Sequence, residues 1–292
     1  MKPTLPTAEY MSPGHLACQG CGAGIAMRVT LKAIGPQSIF TFPACCWTVI
    51  DGPFPYSCLE VPLLHVAFET TAASAAGIRA AMKVLGREDV VVCGWAGDGG
   101  TFDIGIQALS GAAERNDDIF YFCYDNEAYM NTGIQRSGAT PYGAWTTTTP
   151  VKHFKKERKK SIDDIVWAHK VPYQATASVA FPEDLYKKVV KAKGIKGFKF
   201  IHIISPCPPG WKSKPEDSVK LARLAVQTGI FPLYEVVDGI YSQTLKTPNR
   251  KPILDYLKLQ GRFRHLTDKD VAEVQRMVDQ RYAELEKRFS GN

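Results

Sequence analysis

The chain contains no run of about 18 apolar residues long enough to span a bilayer, and its opening Met1-Lys2-Pro3-Thr4-Leu5-Pro6-Thr7 lacks the apolar stretch of a secretory leader. These absences point away from a membrane-spanning or exported chain, and a cytoplasmic protein is expected. Eight cysteines in 292 residues are too few for a disulfide-stapled scaffold, so the thiols are expected to be free or metal-bound in a reducing compartment. Internal repeats and low-complexity segments are missing, as is any recognisable nucleic-acid module. Aromatics are thin around the one dense basic block, Lys152-His153-Phe154-Lys155-Lys156-Glu157-Arg158-Lys159-Lys160, so nucleic acid is not expected as a partner. That block carries much of the net charge of +7 and reads as a solvated loop and helix start. What remains, 45% hydrophobic and 22% charged, suits a soluble enzyme subunit able to bury one large core, or a core plus an appendage.

Apolar runs alternate with helical segments along most of the chain. Ser38–Phe42, Val90–Ala96, Ile119–Tyr124 and Phe200–Ser205 are short, rich in Val, Ile and Phe, and bounded by turn formers, as buried parallel strands are. Ala23–Ile34, Thr70–Leu85, Ile104–Ala113 and Pro182–Lys193 have helical composition. The alternation implies an α/β fold with a doubly wound, mostly parallel sheet spanning residues 1–210. Residues 211–292 read as a C-terminal helical and looped extension that contacts a neighbouring subunit or covers a site, with helices near Ser218–Thr228 and Asp268–Arg288.

Two constellations carry chemistry. Cys18 and Cys21 form a Cys-x-x-Cys pair, Cys46 follows twenty-five residues later, and Cys207 stands between prolines. Four such thiols suit a shared metal centre, and iron–sulfur clusters are held by four thiolates. The second is Gly97-Asp98-Gly99-Gly100 with Asn126 twenty-eight residues after the aspartate. Each part follows a predicted strand, where α/β sheets bind ligands. The Asp98 carboxylate, the Asn126 side-chain oxygen and the Ala128 carbonyl would suit magnesium, and the glycines would let backbone approach a diphosphate.

The Gly-Asp-Gly to asparagine pattern resembles the diphosphate and magnesium motif of thiamine diphosphate enzymes. Together with Gly14-His15, Cys18-Gln19-Gly20-Cys21-Gly22, His65-Val66-Ala67-Phe68-Glu69, Asp125-Asn126-Glu127-Ala128-Tyr129-Met130-Asn131-Thr132-Gly133 and Pro206-Cys207-Pro208, it resembles the β subunit of pyruvate:ferredoxin and related 2-oxoacid:ferredoxin oxidoreductases from about Pro13 to Glu235. The resemblance implies that Cys18, Cys21, Cys46 and Cys207 hold a [4Fe-4S] cluster, with Cys46 also beside the thiamine diphosphate. It implies Asp98, Asn126 and the Ala128 carbonyl around Mg2+, Gly97, Gly99 and Gly100 on the diphosphate, and Asn131 as the catalytic residue facing the reacting carbon. It further implies α-, γ- and δ-type partner subunits that complete the site, ferredoxin as electron acceptor, a small 2-oxoacid as substrate with pyruvate favoured, and coenzyme A as co-substrate.

Two departures from the family pattern matter. Ala44-Cys45-Cys46-Trp47-Thr48 replaces the usual Gly-Cys-Leu-Glu, leaving either Cys45 or Cys46 as third ligand, with spacing favouring Cys46; bulky Trp47 stands near the site. Ala23 occupies the place of a glutamate in single-chain relatives. Oxalate, whose oxidation needs no coenzyme A, is the second substrate candidate. A structural zinc site and a non-redox thiamine decarboxylase or carboligase are the other readings of these motifs. Elsewhere, Cys58, Cys93 and Cys123 read as buried small hydrophobes, His15 and His65 as structural histidines or as hydrogen-bond partners of the cofactor or cluster surroundings, Glu127 as a spacer, Asp103 as the cap of the next helix, and Thr146–Thr149 as a rigid segment near the cofactor or a solvent loop.

Overall fold

Every predicted apolar run becomes a strand of one eight-stranded sheet in the computed structural model, which describes residues 5–291. Residues 1–4, part of the opening segment read above for a leader, lie outside the described residues. In chain order the strands are β1 (Ser38–Pro43), β2 (Leu63–Val66), β3 (Val91–Gly97), β4 (Phe120–Asp125), β5 (Tyr173–Ser178), β6 (Lys199–Ile204), β7 (Tyr234–Val237) and β8 (Ile240–Gln243). Their spatial order is β2-β1-β3-β4-β6-β5-β7-β8. The first six are parallel, and β7 and β8 add an antiparallel hairpin to the β5 edge. The last two strands thus place part of the predicted extension within the sheet itself.

The helices are α1 (Gly22–Ile34), α2 (Cys46–Ile50), α3 (Thr71–Val84), α4 (Ile106–Glu114), α5 (Ile162–Ala168), α6 (Pro182–Lys193), α7 (Pro208–Trp211), α8 (Ser218–Gln227), α9 (Leu254–Leu257) and α10 (Asp268–Ser290), with a π-helical turn at Gly99–Asp103. Strand alternation sorts them onto two faces. Cys93 and Trp95 of β3 pack with α1 and α6, whereas Val92 and Ala96 pack with α3, α4 and α5. A third apolar cluster joins α8, α9 and α10 around Trp211.

This topology fixes where a ligand can bind. After β1 the chain adds β2 on one side, then crosses to add β3 on the other, so the topological switch point lies between the carboxyl ends of β1 and β3. Four adjacent strands, β1, β3, β4 and β6, end there at the segments holding Cys46, Asp98, Asn126 and Cys207 respectively. Among the described residues no helix is long and apolar enough to cross a membrane.

Candidate active site

Cys18, Cys21, Cys46 and Cys207 line one cavity of about 80 Å³, together with Asn126 and Asn131. Cys46 begins α2 directly after β1, and Cys207 precedes α7 after β6. The Cys18–Cys21 turn is brought to Cys207 by the bond from the Gly22 amide to the Pro206 carbonyl, 2.9 Å. That approach requires glycine: a Cβ at Gly22 would stand 2.7 Å from Pro206 N. Burial pushes the Cys46 thiol far up, helped by the proximity of Cys45, Cys207, Cys21 and Asp98; burial raises Cys207 to about 12, helped by Cys21 and Cys18. Cys46, Cys21 and Cys207 are therefore within electrostatic reach of one another, and Cys18 is within reach of Cys21 and Cys207.

Among the described residues no three His, Cys, Asp or Glu side chains close on a point as ligands of a single metal ion do. The four thiols line a shared cavity, and both an iron–sulfur cluster and a tetrahedral zinc take such a set of thiolates. Cys45 is absent from the cavity lining. It caps α2, with its thiol against the Tyr124 hydroxyl and the Gly97 backbone. Trp47 is fully buried against Phe42 and Trp95 and is likewise outside the lining, while Ala23 contributes to it.

The oxygen constellation stands beside these thiols. One end of the Asn126 carboxamide lies 2.8 Å from Asp98 Oδ1 and 3.0 Å from the Ala128 carbonyl oxygen. With its nitrogen turned there, the amide donates to both. With its oxygen there, the two oxygen–oxygen separations of 2.8 and 3.0 Å match edges of an octahedron, about 2.8–3.0 Å for metal–oxygen distances of about 2.0–2.1 Å. The donor set thus fits magnesium. Burial and the neighbouring Asp125 raise Asp98 well above the ordinary carboxylate range, against the pull of Ser137 and Lys159, so a divalent cation would relieve an uncompensated carboxylate. Asp125 is drawn below its ordinary value: burial raises it, but Lys159 and His202 outweigh burial.

Gly97 ends β3, and Gly99 and Gly100 open the π-helical turn, all buried. A Cβ at Gly99 would meet the Tyr129 ring at 2.2 Å, so this glycine admits the asparagine loop as well as leaving backbone bare. Asn131 is exposed on the same loop, whose Thr147 partner bonds the Gly133 and Ile134 carbonyls; Thr146 and Thr149 close the threonine turn at 2.6 Å.

Two expectations need correction. The basic block is not simply solvated: Lys155 is buried on the Thr140 carbonyl, Lys159 reaches both Asp125 and Glu127, and Lys160 binds Asp103 and the Phe102 carbonyl. Asp125 at the end of β4 and Glu127 beside it hold Lys159 inward, because buried carboxylates need counter-charges, whereas Lys155 meets only backbone carbonyls. Asp103 does not cap α4, whose N-cap is Gly105; it accepts from Tyr129 Oη and the Gly138 amide, both at 2.8 Å. Glu127 has a structural role at φ +70°, paired with Lys159 and with Arg262 at 2.5 Å. His15 accepts from the Ala17 amide, His65 sits 3.6 Å from Asp51, and Cys58, Cys93 and Cys123 are buried.

Residues absent from the motif reading also shape the site: Ser137, Thr140, Lys159, Trp211 and Arg262. Three buried acids at 98, 125 and 127 were the one sequence signal that cations had to arrive from elsewhere. A larger cavity of about 360 Å³ lies behind this charged wall, next to α10; its Lys159, His202 and Arg281 are already paired with acids, and the cysteines, Asp98 and Asn126 lie outside it.

Residues 48–203, more than half of the chain, match the C-terminal thiamine-pyrophosphate-binding domain of thiamine pyrophosphate enzymes. The ketoisovalerate oxidoreductase subunit VorB of Pyrococcus furiosus is 51% identical, covering 97% of this chain and 94% of the relative. The pyruvate synthase subunit PorB of Methanothermobacter thermautotrophicus is 50% identical over 96% and 99%. The chain belongs to this family of 2-oxoacid oxidoreductase β subunits. The β subunit also shares its fold with 2-oxoglutarate:ferredoxin oxidoreductase from Magnetococcus marinus, with a TM-score of 0.59, 20% identity and coverage of 75% of this chain and 82% of that one.

Proposed function

We propose that this β subunit takes part in oxidative decarboxylation of an aliphatic 2-oxoacid to carbon dioxide and an acyl-coenzyme A, with electrons leaving through a [4Fe-4S] cluster to ferredoxin. The observation that carries the proposal is the shared cavity: four thiols line it with Asn126, whose carboxamide meets Asp98 and the Ala128 carbonyl at octahedral-edge distances. When bound, thiamine diphosphate would supply the carbon nucleophile and the electron sink that decarboxylation requires. The subunit's own work is placement. Asp98, Asn126 and the Ala128 carbonyl would hold Mg2+, and Gly97, Gly99 and Gly100 would leave backbone bare for the diphosphate. Cys18, Cys21, Cys46 and Cys207 hold the cluster, and Asn131 faces the reacting carbon from the cavity wall. Other subunits of the complex supply the remaining half of the site. None of the eight cysteines is in a disulfide, so the four cavity thiols are open to a cluster.

Relatives named for pyruvate and for ketoisovalerate support a small aliphatic 2-oxoacid as the substrate class. The test is anaerobic purification with the native partner subunits, followed by viologen or ferredoxin reduction with pyruvate, 2-ketoisovalerate and oxalate, each with and without coenzyme A. Coenzyme A-dependent reduction by pyruvate or 2-ketoisovalerate is expected. Reduction by none of the acids would sink the proposal, and a coenzyme A-independent rate with oxalate alone would replace its substrate.

A further inference from the structure

The geometry points to Ser137 as a positioning residue that aims the Asp98 carboxylate at the metal, an inference that rests on the magnesium reading above. Asp98 divides its two oxygens between different tasks. Oδ1 faces the Asn126 carboxamide and accepts from the Asn126 amide at 3.4 Å. Oδ2 accepts from Ser137 Oγ at 2.5 Å. A carboxylate tethered through one oxygen cannot swing to chelate with both, so it presents Oδ1 alone, as an octahedral ion that keeps its phosphate and water ligands requires.

Ser137 can act as an anchor because it is itself fixed. Its Oγ accepts from the Ala139 amide at 3.2 Å, and its own amide donates to Thr140 Oγ1 at 2.9 Å. The Thr140 hydroxyl in turn donates to the Glu127 carbonyl at 2.8 Å, between the other two metal-facing residues. Lys155 Nζ donates to the Thr140 carbonyl. Ser137, Ala139 and Thr140 are all buried. One turn, residues 137–140, therefore clamps the ends of β3 and β4 in register, so that Asp98 and the Asn126–Ala128 pair share an origin. Removing the hydroxyl leaves Asp98 held only through Oδ1, by the long 3.4 Å bond from the Asn126 amide, a loosening that for groups orienting metal ligands costs about 10–100-fold in metal affinity.

The test uses the complete complex with its native partners, freed of thiamine diphosphate and divalent metal, and titrated with Mn2+ in the presence of excess thiamine diphosphate. Free Mn2+ is counted by its aqueous electron paramagnetic resonance signal, which reads binding without catalysis. Ser137→Ala is expected to bind Mn2+ about 10–100-fold more weakly while reaching the wild-type number of sites at saturation, and Ser137→Thr, which keeps the hydroxyl, to restore affinity. Wild-type affinity in Ser137→Ala overturns the inference, as does a permanent loss of sites at saturation or a failure of Ser137→Thr to rescue. Asp98→Ala separates the two levels. If it too binds Mn2+ normally, the magnesium reading falls; if it loses the sites while Ser137→Ala keeps wild-type affinity, only the role of Ser137 falls.

Discussion

Trp211 donates its indole N–H to the Asn126 carbonyl at 2.8 Å, so a residue four places beyond Cys207 braces the asparagine of the oxygen constellation. The Trp211 amide also closes α7 on the Cys207 carbonyl at 2.8 Å, which makes α7 a short strut between the two halves of the site. Trp211→Phe keeps the ring in its apolar cluster but leaves a buried carbonyl without its donor, a loss of about 1–3 kcal/mol. Denaturant unfolding of the subunit should show it, with cluster iron retained and thiamine diphosphate bound more weakly. An unchanged midpoint together with wild-type cofactor affinity would refute the strut.

Arg262 is the buried counter-charge of Glu127, with side-chain exposures of 2% and 5%. Its guanidinium lies 4.2 Å over Trp211, and its Nε donates to Gln260 at 2.9 Å, so position as well as charge is used. Arg262→Met takes one of two cations from Glu127 and leaves Lys159 at 2.9 Å, so the loss should stay below the cost of about 3–5 kcal/mol for a buried carboxylate stripped of its sole partner. Arg262→Lys should rescue little, since a point charge cannot reproduce the planar stack and the second bond. Unfolding free energies of both variants check this; full stability in Arg262→Lys would show that charge alone matters.

His202 bonds Asp125 through Nε2 at 2.8 Å and Asp163 through Nδ1 at 3.0 Å, and only the doubly protonated ring donates to both. Burial lowers its pKa, but the Asp163 charge and the bonds to both carboxylates outweigh burial and raise it from 6.5 to about 9. The folded pKa lies above the unfolded one. The stability this ring contributes is therefore complete below pH 6.5 and is lost as pH rises through about 9. The melting temperature of the cofactor-free subunit should fall across that window, and His202→Gln should start lower and vary less. A wild-type profile flat over the same range would contradict the charged ring.

The strands carrying the site were legible because they are local: apolar runs such as Ile119–Tyr124 need only their own residues and flanking turns to declare themselves. Cys46, Asp98, Asn126 and Cys207 were legible for the same reason, each lying just beyond such a run. β5 was not, because Tyr173-Gln174-Ala175-Thr176-Ala177-Ser178 has no apolar run. Its buried polar groups donate to carbonyls elsewhere in the chain, Gln174 Nε2 to Asp163 at 2.9 Å and Thr176 Oγ1 to Pro232 at 2.7 Å, while Gln174 Oε1 has no partner among the described residues. The edge strand β2 is half-exposed and short, which weakens its pattern. Lys159, Asp103 and Ser137 act through partners 26 to 39 residues away, a separation that no local pattern encodes.

The Cys45–Cys46 doublet gives the sharpest test of the cluster assignment, because the two thiols are adjacent in sequence and face different surroundings. Cys46 lines the cavity with Cys18, Cys21 and Cys207, whereas Cys45 sits against Tyr124 and Gly97. Cys46→Ala should therefore lose the cluster, as should Cys207→Ala, with iron and acid-labile sulfide falling and ferredoxin reduction abolished. Cys45→Ala should keep a full complement of iron, its cost confined to the α2 cap and the packing beside β4. Iron analysis and the visible absorption of anaerobically purified variants decide the matter. A Cys46→Ala complex with full iron beside a colourless Cys45→Ala complex would reverse the assignment and require α2 to begin one residue earlier.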